Sequence, residues 1–249
     1  CIRDSRNHAF WYFDKEMADA TEKYYANERG KTEQYIGFEQ KGKLITFNPK
    51  SHVRMFPSFQ PEADGVTFHL KAVYTDTLRN EYSKEHSTHP IRMSRICGPV
   101  EVVNDTTFTV RFYRMGLDNP KRTGGICLMA SVKQDHKYRS AVQQVEIRIP
   151  YRNKEGIPQR IIFPKLSDVK ASVKEISLNG TADSGLPVYY YVKEGPAEIK
   201  GDKLVLTKIP PRAKFPVKVT VVAWQYGRSG EPKVQTAEAV EQSFYITAR

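Results

Sequence analysis

Apolar side chains recur at every second position along Val217, Val219, Val221 and Ala223. A strand turns successive side chains to opposite faces, so these four residues are predicted to line one inner face, with Leu204 and Leu206 on a facing strand. Comparable runs return about every 8 to 12 residues. Gly-Pro, Asn-Asp, Gly-Asp and Asp-Ser-Gly turn signals separate them, and no helical period intervenes. Short, evenly spaced strands with turns between them predict a β-sandwich. A single helical signal stands apart: Phe10, Phe13, Met17, Ala20 and Tyr24 form one apolar stripe on residues 9–27, which needs a partner surface.

The strand pattern occurs twice. His89-Pro-Ile-Arg-Met-Ser-Arg-Ile-Cys-Gly-Pro-Val-Glu-Val102 aligns without a gap on Leu186-Pro-Val-Tyr-Tyr-Tyr-Val-Lys-Glu-Gly-Pro-Ala-Glu-Ile199. Ile126-Cys-Leu-Met-Ala130 falls on Val219-Thr-Val-Val-Ala223, and Ala141-Val-Gln-Gln144 on Ala239-Val-Glu-Gln242. Upstream, Phe56-Pro57 and Val66–Leu70 correspond loosely to Phe163-Pro164 and Val173–Leu178. Ordered self-similarity of this kind sets the architecture. It predicts an N-terminal helical segment over 1–33, a first sandwich over 34–150 and a second over 151–249, with the polar, glycine-bearing stretch Arg152-Asn-Lys-Glu-Gly156 as the link.

Composition narrows the function classes. With 39% apolar and 27% charged residues, 14 Tyr and 12 Phe, the chain has the makings of a packed core and not of a disordered segment. No apolar run reaches the length of a membrane-spanning helix, and no basic-hydrophobic leader stands at residue 1. The net charge of +11 is spread as −1, +6 and +6 over the three predicted segments. Such a diffuse excess suits anionic partners or a plain solubilising surface. Cys1, Cys97 and Cys127 fit no metal spacing and form no CxxC, so no metal or other cofactor is expected. A Cys97–Cys127 bridge would suit an exported protein; two free, part-buried thiols are the alternative. Cys1 fits either a lipidated mature N-terminus or a truncation from a longer parent.

The second copy resembles a bacterial Ig-like module of the SGLPV type. The residues that carry the likeness are Ser184-Gly-Leu-Pro-Val188, Gly195-Pro-Ala197, Val219-Thr-Val-Val-Ala223 and Ala237-Glu-Ala-Val-Glu-Gln-Ser-Phe244, within residues 157–247. The first copy departs from the pattern, with Thr77–His89 in place of Ser-Gly-Leu-Pro. The resemblance implies a mainly β fold: two tandem immunoglobulin-like β-sandwich domains preceded by a short N-terminal helix. It further implies an exported protein of polysaccharide-using Gram-negative bacteria (periplasmic, outer-membrane or secreted), a spacer or carbohydrate-binding accessory, often attached to a catalytic domain. It brings no catalytic residues. A hydrolase whose catalytic domain is largely missing from this chain, and a cell-surface adhesion or assembly module, are the alternatives.

Candidate chemistry is sparse. No nucleophile elbow, phosphate loop or HExxH is present. Tyr189-Tyr-Tyr191 must send at least one ring away from the core side, and with Trp224 and Tyr226 it is predicted to form either a flat platform for sugar faces or a packing surface for the neighbouring module. Arg212 and Lys214, with Lys208 and Lys218, flank Ile209-Pro-Pro211 as a basic rim for anionic glycan, or as a solvated hairpin. Glu85-His86-Ser-Thr-His89 is either loop decoration or a set of metal-capable side chains. His8, Trp11, Asp14 and Glu16 are read as helix-docking and capping residues, or as the tail of a catalytic site. No recognition helix or RNP-like motif is present, so nucleic acid is not an expected partner.

Overall fold

The computed structural model describes residues 15–45, 57–76, 81–113 and 124–248, apart from the side chains of 15–18 and 24. Phe10 and Phe13 lie outside these residues, as do the side chains of Met17 and Tyr24; Ala20, the remaining member of the helical stripe, is exposed. The N-terminal part forms α1 (Lys15–Glu28), β1 (Tyr35–Gln40), β2 (Lys43–Ile45), β3 (Thr67–His69), β4 (Lys71–Asp76) and β5 (Glu81–Tyr82). β6 (Arg92–Cys97), β7 (Val100–Val102), β8 (Thr107–Val110), β9 (Gly125–Val132) and β10 (Ala141–Arg148) follow. Two three-stranded sheets, β10-β9-β6 and β3-β8-β7, make the first sandwich. Ile126, Leu128, Ala130, Val145 and Ile147 face Phe68, Val100, Phe108 and Val110 in one buried cluster. Phe68 and Phe108 sit opposite each other in register with rings stacked at 5.5 Å.

The second sandwich repeats this order with β11 (Ile161–Ile162), β12 (Val169–Lys170), β13 (Glu175–Ser177), β14 (Thr181–Ala182) and β15 (Tyr189–Glu194). It is completed by β16 (Ala197–Lys200), β17 (Lys203–Leu206), β18 (Val217–Trp224) and β19 (Val240–Thr247). The sheet β19-β18-β15 matches β10-β9-β6 strand for strand, with β12 added parallel to β19, and β13-β17-β16 matches β3-β8-β7. Val219, Val221 and Ala223 are fully buried against Leu204, with Val217 and Leu206 partly buried beside them. Two tandem immunoglobulin-like sandwiches behind a short helix are thus the architecture.

The likeness extends to an irregularity. β6 slips against β9 between Arg95 and Cys97, and β15 slips against β18 between Val192 and Glu194, which are the aligned positions. Both bulged strands then turn on a glycine in the left-handed region, Gly98 at φ 97° and Gly195 at φ 101°. In each case the prolyl carbonyl that follows accepts from the residue just past the next strand but one, Pro99 from the Arg111 amide and Pro196 from the Thr207 amide, both at 2.9 Å. The closing strands correct one alignment. Ile126 pairs with Ile147, and its counterpart Val219 pairs with Phe244, whereas the Ala141/Ala239 anchors would set Ile147 beside Tyr245. Tyr245 is exposed and Phe244 buried, because a one-residue slip moves every side chain to the other face.

The first module carries an addition that the second lacks. β4 and β5 pair with β1 and β2 in a separate sheet, β2-β1-β4-β5. Ile36 and Phe38 of β1 are buried in the first module's core, and β1 runs against β10, so the addition is part of the same packed unit.

A Cβ at Gly98 would lie 2.8 Å from Ile126 Cα, and one at Gly195 would lie 2.7 Å from the Lys218 carbonyl, whereas the space around Gly201 is open. Gly98→Ala and Gly195→Ala are each expected to destabilise by about 2 to 4 kcal/mol, combining clash with left-handed strain. Gly201→Ala, which meets strain alone, should cost about 1 kcal/mol. Urea unfolding of the three variants checks this; equal costs would remove the close approach as the cause.

Candidate functional site

The aromatic residues expected near the second module's surface are divided by the strand pleat. On β15, Tyr190 and Val192 face the second core, while Tyr191 belongs to the first module's cluster and Tyr189 packs against it. On β18, Val219, Val221 and Ala223 face the second core, and Val222, Trp224 and then Tyr226 face the first. Rings do leave their own module's core side, but the neighbouring module covers the vacated face. Trp224 is 1% exposed and Tyr226 0%. No flat platform for sugar is left among these buried rings: Tyr190 fills the second module's own core, and Tyr191, Trp224 and Tyr226 pack between modules.

The geometry of this seam is specific. Phe112 of the first module meets Trp224 edge to face at 4.8 Å and lies 5.9 Å from the Tyr226 ring, with Phe59 on Tyr226 at 6.4 Å. Tyr189 stacks on Trp224 at 4.9 Å. Such pairs add directional preference to the area they bury. The Tyr226 hydroxyl donates to the Pro150 carbonyl, and the Tyr226 carbonyl accepts from Asn153 Nδ2 at 2.8 Å and from Thr236 Oγ1. Arg228 donates to the Ala63 carbonyl at 3.0 Å, joining a second-module loop to the first module. The glycine-bearing link is tied down as well: Asn153 is buried, and Ile157 and Lys233 pair through their backbones at 3.0 Å. Burial, with the Asp64 charge nearby, pushes the Tyr189 phenol up to about 12.

Arg212 and Lys214 are not drawn into the seam. Both are exposed in the stretch before β18, whereas Trp224 ends that strand. At the rise of a strand the two ends of β18 lie about 23 Å apart. Of the proposed rim, Lys218 is engaged by Glu194 at 2.7 Å, and that carboxylate raises the Lys218 amine.

The best-equipped groove lies on the first module's added sheet. It encloses about 430 Å³ and is lined by, among others, Glu39, Tyr74, Tyr82, His86, His89 and Asp105. The His86 ring lies parallel to Tyr74 at 4.1 Å and 7°. The Tyr74 hydroxyl donates to the His89 carbonyl at 2.7 Å, and the Tyr82 hydroxyl to Glu39 Oε2 at 2.6 Å. Hydrogen bonding to that carboxylate raises the Tyr82 phenol, and burial raises that of Tyr74. Asp105 accepts from the Met93 amide and from Arg92, both at 2.8 Å, and the first of these chiefly lowers its carboxyl.

The Glu85–His89 cluster does not converge on one point. Glu85 turns to Lys137 at 2.9 Å, His86 stacks on Tyr74, and His89 Nδ1 lies 3.4 Å from the Lys133 carbonyl. Among the described residues no group of three or more His, Cys, Asp or Glu side chains is placed to hold a metal ion. Ser87 is the structural centre of this loop. It is buried, with its amide on Gln34 Oε1 at 3.2 Å, and its hydrogen bond is the main reason the Asp135 carboxyl is held down to about 2; the Tyr138 and Lys137 amides contribute. Cys1, His8, Trp11 and Asp14 lie outside the described residues, as does the side chain of Glu16. Sequence reasoning singled out His86 and His89 but missed Glu39, Tyr74, Tyr82 and Asp105. Pairing of β1, β4 and β5 brings Glu39, Tyr74 and Tyr82 together, Asp105 joins them from the turn between β7 and β8, and no local spacing signals either.

No protein-family model matches the chain, and no curated protein matches it in sequence. Solved structures are similar to parts of it at low identity. Drosophila N-cadherin EC1-4 is 10% identical over 79% of this chain and 47% of that one, with a TM-score of 0.28. Human Protocadherin-24 EC1-2 is 13% identical over 78% and 94%, with a TM-score of 0.29. Mouse Cadherin-23 EC22-24 is 17% identical over 87% and 65%, with a TM-score of 0.26. This chain spans about half the length of the Drosophila structure. Scores this low carry no argument about partners or role. Among the described residues no helix is long and apolar enough to cross a membrane.

Trp224→Ala is expected to cost about 3 to 5 kcal/mol, as for other buried aromatic truncations, and to loosen both modules together because the ring fills the first module's core. Hydrogen exchange is the check: protection lost in the second module alone would contradict a shared core. The Asp135 carboxyl lies lower in the folded chain than its ordinary 3.8. Its stabilisation is therefore complete above about pH 5 and is lost as pH falls towards 2. Asp135→Asn should flatten the loss of stability between pH 5 and 2, measured by thermal melts across that range.

Proposed function

We propose that this chain is a non-catalytic, exported accessory unit in which two sandwich modules, divided near residues 150–158, act as one rigid arm, and that the added sheet of the first module holds a carbohydrate. The observation that carries the arm is the seam: Trp224 and Tyr226 of one module are core residues of the other. A spacer joined this way transmits position and orientation, which a flexible link does not.

Binding is assigned to the groove beside β4 and β5 because it combines aromatic faces with several polar side chains at a concave surface. Its volume of about 430 Å³ is of the size that small-molecule sites have. The Tyr74–His86 stack and the half-exposed Tyr82 ring present apolar faces, and Glu39 and Asp105 present carboxylates that accept from sugar hydroxyls. Loops and additions on a rigid scaffold are where binding residues concentrate, and this sheet is what the first module has and the second lacks.

Affinity electrophoresis against a panel of neutral and acidic polysaccharides tests the assignment. Retardation by at least one is expected, weakened about tenfold by Tyr82→Ala, which corresponds to ~1.4 kcal/mol. The double change Arg212→Ala with Lys214→Ala should leave it unaltered. Loss in the double variant with Tyr82→Ala unaffected would move the site to the basic rim, and no retention by any polysaccharide would leave the arm without its binding role.

A further inference from the structure

The register of β6 and β9 sets Cys97 opposite Cys127, at the first pair after the bulge. Facing residues of neighbouring antiparallel strands have Cα atoms about 4.5 to 5.5 Å apart, inside the roughly 4.4 to 6.8 Å that a disulfide spans. The second module shows what this position does with side chains. There the equivalent pair is Glu194 and Thr220, and Thr220 Oγ1 donates to Glu194 Oε1 at 2.7 Å. Lys218 reaches the same carboxylate, so the outer strand of that sheet is tied to its neighbour by polar contacts. The first module has two thiols in place of that tie, one on the outer strand and one on the central strand.

We propose that Cys97 and Cys127 form an intramolecular disulfide that fastens the outer strand β6 to β9, with a small-molecule disulfide such as glutathione disulfide as the oxidant. Cys97 is the accessible partner, being exposed, while Cys127 is half-buried. Burial, followed by the neighbouring Cys97 thiol, raises the Cys127 thiol and leaves it the later one to react. The Cys97 thiolate attacks one sulfur of glutathione disulfide, forming a mixed disulfide and releasing one glutathione thiolate. The Cys127 thiolate then attacks Cys97 Sγ, breaking the mixed bond and releasing the second glutathione. The two protons lost by the cysteines end on the two glutathione thiols, and the two electrons reduce the one disulfide consumed. The bridge closes the chain between Cys97 and Cys127 through the Gly98 corner, β7 and β8.

The test uses the full chain carrying Cys1→Ser, so that only this pair can react, equilibrated with an oxidising mixture of glutathione disulfide and glutathione. The expected result is a mass lower by two hydrogens, a Cys97–Cys127 linked peptide in a non-reducing digest, and a midpoint of thermal unfolding higher by roughly 5 to 10 °C that dithiothreitol reverses. Cys127→Ser should instead stop at the mixed disulfide on Cys97. If both thiols remain open to alkylation after equilibration, or if glutathione stays on Cys97 while Cys127 is intact, the pair is not a disulfide site.

Discussion

A strand buried on both faces holds the molecule together. From Val219 to Gly227 every residue is buried, which an outer sheet of an isolated sandwich does not require. One face of β18 closes the second module's core and the other, through Val222, Trp224 and Tyr226, completes the first. Removing these side chains from water stabilises two modules at once, so neither is a self-contained bead on a string. The ties around the seam follow from the same burial, because polar backbone brought into an apolar junction must find partners. Asn153, Thr236 and Arg228 supply them, at the Tyr226 and Ala63 carbonyls.

That junction also decides which surfaces are free for function. Aromatic rings that leave one core enter another, and the basic side chains before β18 stand at the far end of the strand. The sheet added to the first module borders a groove lined by Glu39, Tyr74, Tyr82, His86 and Asp105. Its walls are rigid for a physical reason: Ser87 is buried beneath the loop, and β1 carries Ile36 and Phe38 into the core on its other face. The proposed binding groove thus sits on an elaboration of the repeat, while the repeat supplies the frame.

The duplication left different traces at different depths. Backbone demands were copied most faithfully: both modules bulge at the same aligned position and turn on a glycine with positive φ. Side-chain contacts at that corner diverged, with Cys97 and Cys127 where the second module has Glu194 and Thr220. A bulge and a left-handed turn are set by backbone geometry that few residues satisfy, whereas a facing pair needs only two side chains that tolerate contact.

By itself the sequence determined what short-range physics controls. The alternation at Val217–Ala223, the Gly-Pro corners and the order of strands specify two sandwiches, since period and turn chemistry are local properties. It was a poor guide wherever a residue's partner lies far along the chain. Alternation cannot say whether the second face of β18 meets water or another module, so the sequence left both a platform and a seam open for Trp224 and Tyr226. Matching Ala-Val-x-Gln letters placed the closing strands one residue out of step, because only pairing with β9 and β18 selects the face each side chain takes. Glu39 and Tyr82 share a groove through sheet pairing, Asp105 reaches it from the turn between β7 and β8, and their separation in sequence gives no sign of it. Tertiary structure decided these points because burial and facing depend on what another segment covers.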